Sequence, residues 1–305
     1  MNGVIVVNKP KEFTSFDVVA VMRKITGIRK IGHCGTLDPN ATGVLPVLLG
    51  RAAKAQDILP NHDKSYVATF KLGLLTDTLD IWGEVKAEEK TSVRERELLE
   101  LIPEFTGEIE QIPPMFSAVQ IDGKRLYDLA RQGIEVERKP RKITVYSFDL
   151  LDFNEETQEG KLRIACSKGT YIRTLIDDMA KKLCVGGCMT SLVREEACGF
   201  TLEDSYTLEE LRALFENGEG EKALLSTESL FVRHKEVSVS HLQAKRFANG
   251  GALEASRIRP NPALADKEIC RVVQRDKNFW GLGIFDETSG EIKVYKQFCD
   301  YTEVN

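Results

Sequence analysis

Apolar residues recur along this chain with strand-like and helix-like spacing in turn, which predicts a mixed α and β protein. Gly3 to Val7 is nearly all apolar and reads as a buried strand ending at Lys9-Pro10. Thr14-Ser15 then opens a helix whose apolar positions are Phe16, Val18, Val19 and Met22, with Gly27 as its stop. Ser65 to Leu72 alternates, putting Tyr66, Ala68, Phe70 and Leu72 on one face of a strand. Ser92 with Glu95 makes a capping box before an amphipathic helix through Leu98, Leu99 and Ile102, ended by Pro103. Gln120 to Arg125 reads as a hairpin around the turn Asp122-Gly123, followed by a short helix from Tyr127 to Gln132. Ile143 to Phe153 and Lys161 to Ser167 are strands joined by an acidic loop. From about Ser226 the pattern changes to a short helix, His241 to Asn249, and three short strands at 270–273, 279–285 and 292–298. A large domain over 1–225 and a small β-rich module over 226–305 are expected.

A length of 305 residues suits that division. No apolar run approaches the roughly eighteen residues that span a membrane. The N-terminal run Val4 to Val7 lacks the basic start of a signal peptide. Seven cysteines (34, 166, 184, 188, 198, 270 and 299) contain no C-x-x-C pair, so reduced thiols and a cytoplasmic location are expected. Cys184 and Cys188 could share a helix face, yet no paired His or Cys follows at ligand spacing, so no metal is expected. The four histidines (33, 62, 234 and 241) offer no ligand pair for a metal hydrolase either. Neither G-x-G-x-x-G nor a P-loop occurs, and no cofactor is expected.

The net charge of −5 argues against nucleic-acid binding by bulk charge. The charge is uneven, however: residues 1–60 carry +4 and 120–142 carry +3, while 84–110 and 203–221 are acidic. A basic working face with acidic solvent-facing helices fits this distribution, and so does ordinary solvated charge.

The densest cluster of special residues is Ile31 to Gly50, IGHCGTLDPNATGVLPVLLG. It reads as a tight, glycine-punctuated loop delivered onto a buried strand or helix start. Asp38 precedes Pro39, which biases it away from helix. Such a carboxylate is either held rigidly at a cleft or part of an Asp-Pro turn.

The words G-H-x-G-x-L-D-P-x-A-T-G-V-L-P in this stretch resemble the catalytic motif of the TruB family of pseudouridine synthases, which modify uridine 55 in the T loop of tRNA. Further matches follow in family order. KPKEFTS resembles K-P-x-G-x-T-S, a segment that packs under the catalytic loop, with Glu12 in place of the usual Gly. Asp63 to Tyr66 resembles D-K-x-Y, and TDTLDIWGEV resembles T-D-T-x-D-x-x-G-x. The run from Gln111 to Gly133 resembles the segment that grips the T-loop arm, with Gln120 replacing a Lys. CSKGTYIRT matches C-S-x-G-T-Y-I-R-T/S, and LVREEACGF more loosely resembles L-x-R-T-x-x-G-x-F, with Glu195 for Thr and Cys198 for Gly. Residues 3–202 carry the resemblance well and the remainder poorly.

The resemblance implies an α+β pseudouridine synthase fold. Its parts would be a mixed, largely antiparallel sheet with flanking helices, an RNA-gripping insertion near 105–140, and a PUA-like C-terminal RNA-binding module. Asp38 is then the catalytic residue, as nucleophile at the ribose or uracil ring or as base at C2′. Arg173 would form a buried pair with Asp38, whereas spacing alone equally allows a surface pair with Asp177. Tyr66, alone a core aromatic, would lie against the target base, and His33, alone a structural histidine, would fill the gap left by the flipped uridine. Leu192, Tyr171, Lys9 and Asp80 complete the expected substrate-binding set. The implied partner is the T-stem loop of tRNA, with no protein partner required, and the absence of a coiled-coil pattern leads to the expectation of a monomer. The alternatives are a guide-RNA-dependent synthase and a non-catalytic tRNA-binding or folding factor.

Overall fold

The computed structural model describes residues 1–260, 263–275 and 278–299. The main sheet is built from β1 (Gly3–Lys9), β2 (Ile31–His33), β3 (Thr42–Leu49), β4 (Lys64–Leu72), β5 (Gly107–Gln111), β6 (Arg141–Asn154), β7 (Glu159–Cys166) and β8 (Gly187–Ala197). Its spine runs β1-β3-β8-β4-β7-β6-β5, with β2 pairing β3 and a short strand, Phe200–Thr201, pairing β8. Neighbours on this spine are antiparallel except β3 and β8, which run parallel for two pairs, Val193 opposite Thr42 and Arg194 opposite Gly43. The expected α+β architecture with a largely antiparallel sheet is therefore present.

Local sequence explains the elements that frame the site. Helix α1 (Ser15–Thr26) starts where expected: the Asp17 N–H donates to Thr14 Oγ1 at 3.0 Å, and the Thr14 N–H donates to the Asp17 carboxylate at 2.8 Å. Gly27, with φ of 70°, closes it. The alternation in β4 buries Tyr66, Ala68, Phe70 and Leu72 in one cluster with Leu175, Ile176 and Met179 of α3 (Ile172–Lys182). In the hairpin at 120–125, Asp122 and Gly123 both have positive φ, as a two-residue primed turn requires.

The helix expected from Ser92 begins later, as α2 (Glu95–Leu101). The Gln158 side chain accepts from the Val93 N–H at 3.0 Å and donates to the Val93 carbonyl at 2.9 Å, so that residue is committed elsewhere. Arg94 then caps α2 through its N–H, which donates to the Glu97 carboxylate at 2.9 Å.

Toward the C-terminus a second sheet orders the strands Lys235–Val239, Ile269–Gln274, Phe279–Asp286, Glu291–Gln297 and Leu253–Glu254, the first two parallel. Phe231, Leu282 and Phe298 from this end share a buried cluster with Val44, Leu48, Ala52 and Ala55. The strand leaving the Asp38 loop is thus packed from behind. No helix among the described residues is long and apolar enough to cross a membrane.

Two departures from the family words fall where the backbone is left-handed. Glu12 has φ of 66°, and Cys198 has φ of 58° in the two-residue turn between β8 and Phe200. Side chains there cost about 1–2 kcal/mol, part of which glycine returns as unfolded-state entropy. Glu12→Gly is therefore expected to stabilise the protein by about 0.5–1 kcal/mol. In calorimetry the thermal midpoint should rise by about 1–3 °C.

Candidate active site

The Asp38 loop lies where the sheet splits, between β2 and the start of β3. At the split, Gly43 (φ of 105°) lets β3 approach β8: a Cβ there would sit 2.2 Å from the Arg194 carbonyl oxygen. Leu37 plugs into the main core, and its N–H donates to Ser15 Oγ at 2.9 Å. Asp38 closes a turn by accepting the Ala41 N–H at 3.1 Å. The expected Asp-Pro turn is thus present, and the carboxylate it carries stays 38% exposed.

Lys9, expected among substrate-binding residues, sits instead beneath the loop with no exposed surface. Its Nζ donates to the carbonyls of Phe13 at 2.6 Å and of Pro10 and Pro39 at 2.9 Å. Burial lowers its pKa to about 8, opposed by the charge of Asp38. This lysine is spent on holding Pro39 and cannot reach solvent.

Arg194 does the same from the other side, and reading the sequence missed it. It is completely buried, donating through Nε to Val44 at 2.7 Å, through Nη2 to Gly35 at 3.1 Å and through Nη1 to Thr36 at 3.4 Å, all carbonyl oxygens. The signal was available: an arginine inside the otherwise apolar-patterned motif L-x-R. A buried cation needs several acceptors, and the carbonyls of a tight loop supply them.

Arg173 joins the remaining segments. It is 5% exposed, at the first turn of α3. Nε lies 3.0 Å from Asp38 Oδ2 and Nη2 donates to Asp38 Oδ1 at 3.2 Å, a two-point contact. Nη2 also donates to the Phe116 carbonyl at 3.0 Å and Nη1 to the Thr78 carbonyl at 2.9 Å. Asp177, the alternative partner, pairs with Lys181 at 2.6 Å. Asp80 faces Arg173 Nη1 at 3.7 Å through Oδ2, while its Oδ1 accepts from Thr78 Oγ1 at 2.7 Å. Burial raises the Asp80 pKa, and the Thr78 hydroxyl and Arg173 oppose that shift. The start of α3 is itself clamped, because the Gln111 side-chain amide bonds the Tyr171 N–H at 2.8 Å and its carbonyl at 3.0 Å.

Tyr66 and Leu192 are nearly buried, at 6% each, in the cluster that contains Leu37. Burial pushes the Tyr66 phenol up to about 12. A group that holds its proton this tightly is a poor base at neutral pH. His33 ends β2, half-buried, and burial followed by the charge of Arg194 lowers its pKa, so the imidazole is neutral at pH 7. Asp38, Arg173 and Asp80 are thus brought together directly, Tyr66 and Leu192 are buried in the core cluster with Leu37, and His33 stands on the strand leading into the loop.

The sequence profile described as the TruB family pseudouridylate synthase N-terminal domain matches residues 23–172. Over 298 residues the chain is 43% identical to tRNA pseudouridine synthase B of Clostridium tetani, covering 97% of this chain and 99% of that protein. The chain belongs to the TruB family. A second family relative, tRNA pseudouridine synthase B of Lactobacillus johnsonii, is 41% identical over 87% of this chain and 91% of its own. Among solved structures, a Cbf5-Nop10-Gar1 complex contains a chain with TM-score 0.75 and 26% identity, covering 99% of this chain and 86% of that one.

Of the departures from TruB family words, Glu195 has a local partner: its carboxylate meets Arg163 Nε of β7 at 3.1 Å, an exposed ion pair reaching across β4. Gln120 lies exposed at the base of the 120–125 hairpin, where it pairs with Arg125.

Replacing the Arg194 fork by a point charge, Arg194→Lys, should leave at least one loop carbonyl unpaired and cost about 1–3 kcal/mol, read from the urea midpoint. Tyr66 gives a pH signature. Its pKa is near 12 folded against 10.0 for the ordinary phenol, so its contribution is fully present below pH 10 and is lost as pH rises through 12. Urea midpoints of Tyr66→Phe should therefore fall less steeply than wild type above pH 10.

Proposed function

We propose that this chain isomerises uridine 55 in the T loop of tRNA to pseudouridine, with Asp38 as the catalytic group and without a cofactor. The observation that carries this reading is the two-point contact of Arg173 with Asp38, at 3.0 and 3.2 Å, on a carboxylate that remains 38% exposed. The reaction needs no redox change. The C1′–N1 bond breaks, the uracil turns, C5 bonds C1′, and the C5 proton is lost while N1 gains one. An ionised carboxylate fixed at the cleft can attack C1′ or the ring, or take a proton from C2′. Arg173 aims it, and Asp80 with the Thr78 and Phe116 carbonyls fixes Arg173.

Tyr66 serves by packing against the base rather than by taking the C5 proton, in keeping with its raised pKa. Leu192 adds apolar contact, Tyr171 lines the start of α3, and His33 fills the gap left by the flipped uridine, whose extraction costs a few kcal/mol. The insertion at 105–140 grips the T-loop arm. Its exposed Lys124, Arg125 and Arg131 suit phosphates, and Tyr127 lies between the two arginines with guanidinium carbons 5.7 and 5.5 Å from its ring centre. The module at 226–305 adds RNA contacts, and the enzyme works in the cytoplasm as a monomer without a protein partner.

A tritium-release assay with uracil-5-labelled tRNA transcript tests this reading. Wild type should release tritium from the T-loop uridine without added metal or nucleotide, and Asp38→Asn should fall by about a thousandfold or more while still binding tRNA in a gel shift. Release by both proteins would remove Asp38 from the catalytic role. Binding without release by either would leave a tRNA-binding factor.

A further inference from the structure

The chain has two tryptophans, and their surroundings differ sharply. Trp280 is buried at 4% exposure, whereas Trp82 is 40% exposed beside Ile81 at 43%. Exposure alone does not single Trp82 out, since Phe16, Val232 and Leu242 are more exposed; its fixed backbone and its cation partner do. Trp82 is held in place. Its backbone N–H donates to Asp80 Oδ1 at 3.2 Å, and the neighbouring Ile81 N–H donates to the Met189 carbonyl at 2.9 Å. The turn is tight, since a Cβ at Gly83 would meet Thr78 Oγ1 at 2.2 Å. The other oxygen of Asp80 faces Arg173, so the indole stands on the loop that braces the Asp38–Arg173 pair.

Lys11, from the turn that leads into α1, places its ammonium 5.5 Å from the ring centre of Trp82. An exposed indole with a cation over one face and the other face available matches what a nucleotide presents, a flat base to stack and a phosphate for the ammonium to meet. Taking a uridine out of a folded loop also leaves an adjacent base without its stacking partner.

We propose that Trp82 and Lys11 form a nucleotide-binding platform at the rim of the site, where the indole stacks on an unpaired base of the substrate RNA neighbouring the target uridine. The inference rests on the functional reading above and adds a substrate contact that the family words do not specify, because Trp82 fills a variable position of T-D-T-x-D-x-x-G.

Intrinsic fluorescence tests it directly, because Trp82 is the exposed emitter. Titrating wild type with unmodified tRNA transcript should quench or shift the emission, and Trp82→Phe should lose that change while keeping most of its affinity. Trp82→Ala should bind tRNA about tenfold more weakly. Unchanged wild-type emission under saturating tRNA, or a Trp82→Ala Kd indistinguishable from wild type, would overturn the platform while tritium release by wild type keeps the functional reading intact. Absence of both tRNA binding and release in wild type would overturn the functional reading and the platform with it.

Discussion

A guanidinium buried away from water must find partners for its donors, and the architecture around Arg173 is what that demand produces. Three stretches far apart in sequence supply the acceptors: Asp38 from the loop after β2, Thr78 from the turn after β4, and Phe116 from the segment after β5. Each acceptor gains a charge-assisted bond, and none of the three stretches can shift alone without leaving the cation under-satisfied. The candidate carboxylate is therefore positioned by the same contacts that hold the surrounding loops together.

Two further cations extend this logic to the loop itself. Lys9 and Arg194 have no exposed surface and between them bond the carbonyls of Gly35, Thr36, Pro39 and Val44. A tight loop entering a buried strand has carbonyls that its own ladder cannot satisfy, and water is excluded from beneath it. Buried ammonium and guanidinium groups replace that water. The rigidity has a second source in the apolar packing of Val44 and Leu48 against Phe231 and Leu282, which ties the C-terminal sheet to the strand behind the loop.

The open side of the site is built differently. Asp38 keeps part of its surface in solvent, Tyr66 and Leu192 are packed into the core with Leu37, and Trp82 stays exposed with the Lys11 ammonium over its ring. Three cations, Lys9, Arg173 and Arg194, are thus buried, where their bonds to loop carbonyls and to Asp38 fix geometry. The acidic balance of the whole chain does not conflict with an RNA substrate, because the acids lie largely in other segments, such as 84–110 and 203–221.

Sequence alone determined what depends on short-range rules. The cap at Thr14, the stop at Gly27, the alternation of 65–72 and the Asp-Gly hairpin were legible because each is set by neighbours within a few residues. The family words marked Asp38 and Arg173 as partners, and marked Glu12 and Cys198 as residues standing where glycine is usual. Tertiary structure decided the rest. It moved the start of α2 because Gln158, distant in sequence, holds both backbone groups of Val93. It turned Lys9 from an expected ligand contact into a buried strut, and it made Arg194 a second one. A lysine or arginine looks the same in sequence whether it meets a phosphate or three carbonyls. Burial and acceptor geometry choose between them, and both arise only once β1, β3 and β8 are brought side by side.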